Sequence, residues 1–460
     1  MSSDNETIPF EEHDEFHLVK DHNRIVDALA ETHDVKLRIS LEDIHPADFS
    51  DQFEELTQDE RENFIERAGD LITADVLAEL EDEVVEDILP LLSSTQLAEA
   101  ITELDNDDAT QIIEEMEPAQ REEVMEALDT EDRAALEASL EFDDETAGRL
   151  MQREFVASPP FWTVGNAIDH MRETGEELPE LFFNIYIVDT AFKPIGYVPV
   201  SQLMRSPREK TLEDIMVRSV TLIPQDMDQE EAAYLFEKYN LISAPVVDDD
   251  GRLTGMMTVD DIIEIIQDEN KEDMLALAGV SDAGLTDTAL STVRARAPWL
   301  FLNLLTAVLA SLVIAQFDYA ITEIVQLAVL MPIVASMGGN AGTQALAVAV
   351  RGLSERDLTS RNMWRAVRRE GVAAAINGVI FAVALALIAY IWFGRADLAG
   401  VAFVSMIINH IFAGLAGILI PLAMKKAGAD PAVSSSVFVT TVTDIVGFLA
   451  FLGFAALVLL

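Results

Sequence analysis

Apolar residues follow three different rhythms along this chain. Over residues 36–147 they recur three and four positions apart in short blocks: LEDIHPADFSDQFEEL, LITADVLAELEDEVVEDILPLL, STQLAEAITEL, NDDATQIIEEM and PAQREEVMEAL. That is the period of amphipathic helices, and Asp, Ser, Thr or Pro opens several blocks as at helix N-termini. Each helix is too short to stand alone, so the blocks predict a stacked helical array. Residues 148–270 mix strand and helix patterns. From residue 298 on, five long apolar segments follow, about 299–317, 323–350, 371–394, 398–424 and 431–460. About 20 such residues cross the hydrocarbon core as a helix, so five membrane helices are predicted. Residues 1–35 carry few apolar positions and read as a loose lead-in or a small helix.

The middle region is duplicated at roughly sixty-residue spacing. LMQREFVASPPFWTVGNAIDHM (150–171) matches IMVRSVTLIPQDMDQEEAAYLF (215–236), and IYIVDTAFKPIGYVPVSQLM (185–204) matches APVVDDDGRLTGMMTVDDII (244–263). Each half reads strand, helix, strand, turn, strand, helix. Asp249, Asp250 and Gly251 supply a hairpin turn, and Gly196 and Gly255 fall at equivalent places. The two halves, 148–208 and 209–270, resemble a tandem pair of CBS domains, whose pairs often bind adenine nucleotides or relay a regulatory signal. No GxxxxGKS or GxGxxG phosphate loop is present. Residues 271–297 form a connector, in which Leu290, Val293, Arg294 and Arg296 predict a helix at the inner membrane surface.

Charge divides the chain more sharply than hydropathy does. From residue 298 on there are 9 Lys and Arg against 8 Asp and Glu, leaving 21 against 74 in the first 297 residues. So acidic a surface stays hydrated in concentrated salt, where charges are screened within a few ångströms. Lys is scarce beside Arg, 8 against 22, which suits a halophilic, salt-accumulating cytoplasm. Binding of hard cations, which need oxygen ligands, is the second reading, expected for a few of the acids. Nucleic acid is excluded as a partner by the lack of a basic patch. With no cysteine there is no disulfide, Cys-based zinc site or thiol chemistry. The polar, acidic start MSSDNETIPFEEHDEF predicts no signal peptide.

The basic residues fix an orientation. Arg294 and Arg296 precede the first span, six Arg lie between the second and third, and Lys425 and Lys426 separate the fourth and fifth. The other two loops hold Asp318 and Glu323, and Arg395 with Asp397. The positive-inside rule then puts the acidic front in the cytoplasm and the C-terminus outside.

Three stretches carry candidate chemistry. The segment EIVQLAVLMPIVASMGGNAGTQALAVAV (323–350) can span a bilayer, yet holds Pro332, Gly338, Gly339, Asn340, Gly342, Thr343 and Gln344. Gly and Pro weaken a helix, and polar groups in lipid are costly. A broken helix beside a polar pathway is expected; a close helix–helix contact through small residues is the alternative. Asp444 lies deep in the last span, after Ser434 to Ser436, Thr440, Thr441 and Thr443. A carboxylate there is a functional site by default, served by water or a metal ion, or else bonded to hydroxyls of a neighbouring helix. Finally, Asp261, Glu264, Asp268, Glu269, Glu272 and Asp273 crowd one helix. Their repulsion would be relieved by a divalent cation, or they form one more solvated acidic face.

In this order of parts the chain resembles the MgtE family of magnesium channels over about residues 36–460. Pro332 and Met337-Gly338-Gly339-Asn340-Ala341-Gly342-Thr343-Gln344 resemble the family's second-helix signature; Asp430-Pro431-Ala432 with Thr441-Val442-Thr443-Asp444 resemble its fifth-helix signature. The resemblance implies a homodimer with the pore on its axis, Asp444 as pore metal ligand, and Pro332, Gly338, Gly339, Asn340, Gly342 and Thr441 around the pathway. It implies cytoplasmic sensing of Mg2+ by Asp261, Glu264, Glu269, Glu272 and Asp273. Closure would pass through a connecting (plug) helix at roughly 280–297, and ATP binds the CBS pair in some members. Some members carry a helix-breaking Pro where this chain has Val437, which implies a straighter fifth helix here.

The fold expected is therefore multidomain: a lead-in (1–35), an all-α acidic N domain (36–147), an α/β CBS pair (148–270), a connecting helix (271–297) and a five-helix membrane domain (298–460). The function expected is Mg2+ uptake closed by cytoplasmic Mg2+. A broader pathway for Mn2+ or Co2+ and a non-conducting metal or nucleotide sensor are the alternatives. An enzyme is not expected: no nucleophile constellation is legible, six of the seven His precede residue 171, and His410 reads as packed or hydrogen-bonded.

Overall fold

The computed structural model describes residues 23–30, 33–41, 44–175, 178–179, 181–280, 289–354, 356–359, 361–433 and 435–460. Most of the 1–35 lead-in and residues 281–288 of the connector lie outside them. By its contacts the chain divides into two units, residues 1–229 with 242–258, and 230–241 with 259–460.

The first unit opens with the stacked short helices expected. They are α1 (Arg24–Leu29), α2 (Asp34–Leu41), α3 (Pro46–Glu54), α4 (Gln58–Ala68), α5 (Ala74–Ala78), α6 (Asp82–Ile88), α7 (Ser94–Glu103), α8 (Asn106–Glu115), α9 (Pro118–Ala127) and α10 (Thr130–Ser139). Each packs on the helix two further along, α3 on α5, α5 on α7 and α7 on α9 in one row, α4 on α6, α6 on α8 and α8 on α10 in the other. No single helix can bury its apolar stripe alone, so stacking supplies the core. Phe49, Phe53 and Phe64 meet in it, with ring centroids 5.5–6.1 Å apart. Local signals start the helices: Ser93 and Gln96 form a reciprocal cap, with Gln96 N–H donating to Ser93 Oγ at 3.3 Å. Buried arginines tie these helices together. Arg61 donates to the Glu54 carbonyl at 2.7 Å and pairs with Asp87 at 3.3 Å. Arg149 pairs with Glu114 and Asp144 and donates to the Ser139 carbonyl at 3.0 Å.

One carboxyl in this array was not singled out by sequence. Burial, then the charges of Asp82 and Glu86, push Glu115 up to about 7. An acid raised on folding contributes stability that is present below the ordinary carboxylate range and lost as pH rises through about 7. Glu115→Gln is therefore expected to slow amide exchange in α8 of the full chain at pH 8, with no effect at pH 4. Equal exchange at both pH values would show that Glu115 ionises without cost.

The duplicated region forms two three-stranded sheets of one topology. The first has β1 (Ala157–Ser158), β2 (Asn184–Val188) and β3 (Pro194–Pro199); the second has β4 (Ile223–Pro224), β5 (Ser243–Val247) and β6 (Leu253–Thr258). In each, the first pair is parallel, the second antiparallel, and the register slips at the same place, Ile187/Val188 and Val246/Val247. The helices of the region are α11 (Val164–Glu173), α12 (Val200–Arg205), α13 (Leu212–Ile215), α14 (Gln229–Tyr239) and α15 (Val259–Ala278). The equivalent glycines explain themselves. A Cβ at Gly196 would come within 2.8 Å of the Val217 carbonyl, and one at Gly255 within 2.7 Å of the Gln152 carbonyl. Each repeat thus seats the leading segment of the other against its own third strand, bonded through Val217 N–H to the Tyr197 carbonyl (2.8 Å) and Met256 N–H to the Gln152 carbonyl (2.8 Å).

In the second unit five helices are long and apolar enough to cross a membrane: α16 (Ala289–Ala315), α18 (Gln326–Ser354), α19 (Met363–Phe393), α20 (Ala396–Lys426) and α21 (Ser435–Val458). A short α17 (Asp318–Glu323) joins the first two. α20 is central and touches α18, α19 and α21. Half of its most apolar stretch is buried, against 6% for α16, which packs chiefly on α21. One expectation is corrected. Residues 289–297 do not form a separate helix on the membrane surface; they continue into the first span through Pro298. Proline removes one helical hydrogen bond, and near a membrane surface water can satisfy the freed carbonyl.

Candidate ion pathway

Irregular backbone was expected around Gly338 and Gly339, but α18 is helical from Gln326 to Ser354 without interruption, Pro332 included. The glycines serve contact instead. A Cβ at Gly338 would overlap the side-chain amide of Asn409 on α20. One at Gly342 would lie 2.6 Å from Val439 Cγ1 on α21. One at Gly417 on α20 would lie 2.6 Å from the Gly342 carbonyl. Small residues let three helices approach backbone to backbone, the alternative that the pattern had left open.

Asn409 is the residue that sequence reading missed. It is fully buried, and its Nδ2 donates to the Val334 carbonyl of α18 at 2.8 Å. A Cβ at Gly447 of α21 would come within 2.8 Å of the same Nδ2. Asn409 therefore sits in a socket made by two glycines and sets the level of α18 against α21. The available signal was an amide midway along an otherwise apolar span. Its neighbour His410 is packed as expected: its Nδ1 lies 3.0 Å from the Met406 carbonyl and its ring stacks on Phe381.

The rest of α18 sorts by face. Gly338 and Gly342 are buried, whereas Pro332, Ser336, Asn340 and Gln344, four residues apart, are exposed. A polar stripe of this kind cannot face hydrocarbon without cost. α21 matches it. The helix runs unbroken past Val437, whose carbonyl accepts from the hydroxyls of Thr440 (3.0 Å) and Thr441 (2.6 Å). Thr443 is buried, with Oγ1 4.0 Å from the Cβ position of Gly339. That contact puts Asn340 and Asp444, the next residues on two antiparallel helices, within about 3 Å of the same level. Asp444 lies about 14 Å from the start of α21 and is half-buried. Among the described residues no hydrogen bond or ion pair reaches its carboxylate. The hydroxyl-bonded alternative for Asp444 is thus not realised. Thr441, one turn away, lines a cavity of about 430 Å3 with Ile420, Met424 and Phe438.

The acids of α15 do not share one place. Asp261 and Asp273 are twelve residues apart, about 18 Å along the helix. Among the described residues no group of three or more His, Asp or Glu is arranged to hold a metal ion. Asp261, Glu264, Asp268, Glu269 and Glu272 each have interactions of their own. Asp273 meets the membrane helices. It accepts from Ser354 Oγ, at the end of α18, at 2.8 Å. Burial holds its carboxyl above the usual carboxylate range; the Ser354 bond offsets this in part, and the charge of Asp430, just before α21, adds to it. One turn on, Ala276 packs with Leu346 and Val350 of α18 and Val439 of α21. α14 reaches the same end of α18: Glu231 pairs with Arg356 at 3.4 Å, and the Arg356 guanidinium lies 4.3 Å from the Tyr234 ring centre.

The family model described as a divalent cation transporter matches residues 331–454, which hold the Gly338–Asn409–Gly447 socket and Asp444. The MgtE intracellular N domain matches residues 44–145, and a CBS domain matches 212–268. The magnesium transporter MgtE of Bacillus subtilis is 32% identical over 322 residues, 70% of this chain and 71% of that protein. MgtE of Thermus thermophilus is 31% identical over 71% of this chain and 73% of its own length. A crystal structure of the cytosolic domain of the Mg2+ channel MgtE in complex with ATP is 31% identical, covers 53% of this chain and 98% of that one, and has a TM-score of 0.49. By two curated relatives above 30% identity, each matched over more than two thirds of its length, this chain belongs to the MgtE family.

Proposed function

We propose that this chain is the protomer of a homodimeric Mg2+ channel of the plasma membrane, closed by Mg2+ bound to its cytoplasmic domains. One observation carries the reading: the Asp444 carboxylate has no partner among the described residues and stands level with the polar stripe of α18, at a depth where neither can face lipid. A second copy related by a twofold axis would cover both faces and bring two Asp444 together. With α18 unbroken, its carbonyls are committed to helical hydrogen bonds. Asp444 and the amides of Asn340 and Gln344 are then the groups left to meet the ion. Mg2+ suits them, because it gives up water reluctantly and is held by one or two carboxylates through its water shell.

The basic loops support, by the positive-inside rule, an N-terminus in the cytoplasm and a C-terminus outside. Regulation enters through the lower ends of the pore helices. A cation between Asp273 and Asp430 would cancel their repulsion and tie α15 to α18 and α21 together, which biases the helices only by its differential affinity for the closed state. Asp261, Glu264, Glu269 and Glu272 would hold separate ions with groups outside α15. Replacing Glu269, Glu272 and Asp273 together is expected to leave uptake open at high internal Mg2+, and Asp430→Asn alone to weaken closure. Unchanged inhibition in both variants would reduce these acids to solvation, as a halophilic cytoplasm would favour. ATP at the CBS pair belongs to the same reading, as a modulator of Mg2+ sensitivity.

The experiment that tests the reading is divalent uptake into proteoliposomes, with and without Mg2+ on the N-terminal face. Uptake of Mg2+ in preference to Mn2+ and Co2+, suppressed by Mg2+ on that face, is expected. Equal passage of all three would make the pathway a broader one. No uptake by inserted protein at any ionic strength would favour the non-conducting sensor.

A further inference from the structure

A cavity of about 640 Å3 opens between the lower ends of α18 and α19 and the segment joining them. Its wall is apolar, with Val348, Ala349, Ala366 and Ile418, and its rim carries Arg351, Arg365 and Arg369. Asp357 and Glu370 are the acids on the same rim, so the formal charge is positive by one. Arg365 and Arg369 are exposed and, among the described residues, enter no ion pair. Arg356 of the same segment is instead engaged by Glu231 and Tyr234. Trp364, beside Arg365, is 71% exposed, the placing of an interfacial anchor.

A cationic rim over an apolar wall at the end of two membrane helices matches an amphiphile with a negative head. We infer that this cavity binds the head group of an anionic phospholipid. The guanidinium groups of Arg365 and Arg369 take the phosphodiester, for which their planar forks are suited. Asn362 and Glu370 accept from the head-group alcohol, and the first acyl carbons lie along Val348 and Ile418. A free phosphate shares the arginine chemistry but has no use for the apolar wall, so the lipid is the occupant favoured. Bound there, the lipid would brace the segment through which Arg356 meets α14, and so weigh on the same end of α18 as the acids of α15.

The test reads lipid retention and not transport, so it stands apart from the channel reading. Full-length protein in neutral detergent is mixed with phosphatidylglycerol, phosphatidylethanolamine or phosphatidylcholine, and bound lipid is read by native mass spectrometry. Phosphatidylglycerol should be retained preferentially, and the double variant Arg365→Gln/Arg369→Gln should lower its affinity at least about tenfold, since one charge-assisted hydrogen bond is worth about 1.5 kcal/mol or more. The control Arg361→Gln/Arg368→Gln removes two charges that lie outside the cavity and should change retention by less than about twofold. Equal losses in the two double variants would overturn the site in favour of general attraction to basic loops. So would equal retention of the three lipids. Displacement of phosphatidylglycerol by millimolar inorganic phosphate would assign the rim to a free anion and also overturn the inference.

Discussion

Asp444→Asn is expected to reduce Mg2+ uptake into proteoliposomes at least about a hundredfold, a barrier change of about 2.7 kcal/mol. The magnitude is modest beside the electrostatics. At an effective dielectric of about 20, two unit charges about 4 Å apart attract by about 4 kcal/mol, and a divalent ion doubles this. Asn keeps the shape and one acceptor oxygen, and no hydrogen bond or ion pair among the described residues depends on the charge. Folding and assembly should therefore survive, which cross-linking or mass measurement of the oligomer would verify. Uptake within about twofold of the parent, in protein shown to be assembled, would remove Asp444 from the pathway; a true pore ligand cannot lose its charge at so small a cost.

The second large effect is structural. Gly338→Val puts a branched side chain where the Asn409 amide lies, at a place where α18, α20 and α21 all meet. Overpacking of a tight core costs about 1–3 kcal/mol or more, and here it also expels the amide from its bond to the Val334 carbonyl. A fall in melting temperature of about 5 °C or more is expected for the full chain in detergent, with loss of uptake. The diagnostic is rescue. Asn409→Ala costs stability alone, yet in the Gly338→Val background it vacates the space the valine needs. The double variant should then melt above Gly338→Val. If it melts lower, the two residues do not compete for one space and the socket is misassigned.

The parts legible in the sequence were those written in periodicity. Three- and four-residue spacing gave the stacked helices, long apolar runs gave the five spans, and the repeat through Gly196 and Gly255 foretold two sheets of one topology. Glycine was ambiguous. Gly338 and Gly342 read first as helix breakers and only second as contact points, because propensity is a property of one segment, while the contact depends on Asn409 and Val439 far along the chain. Leu290, Val293, Arg294 and Arg296 were ambiguous too: they read as a separate surface helix, and α16 carries them through Pro298 into the first span. Asp444 stood out because a charge in an apolar run is conspicuous; Asn409 is a weaker polar signal with as large a structural part. The clustering of acids over 261–273 concealed that Asp273 is hydrogen-bonded to the end of α18. Glu115 was invisible because its neighbours Asp82 and Glu86 belong to a helix two removed.

The reciprocal seating of the CBS repeats bears on where such a chain came from. Each third strand holds, over a glycine, the leading segment of the other repeat, so neither repeat completes its own surface. A chain with a single repeat would leave that glycine-lined surface bare and its own leading segment loose. Two such chains could satisfy each other only by exchanging those segments, as a swapped homodimer. Fusing the two genes in tandem would then have cost no new contact. It would also have freed the halves to diverge, so that Phe192 now occupies with positive φ the turn position that Gly251 keeps in the second repeat. On this account the two-repeat module is a dimer made covalent, and cutting it between residues 208 and 209 should yield halves that fold only on meeting again.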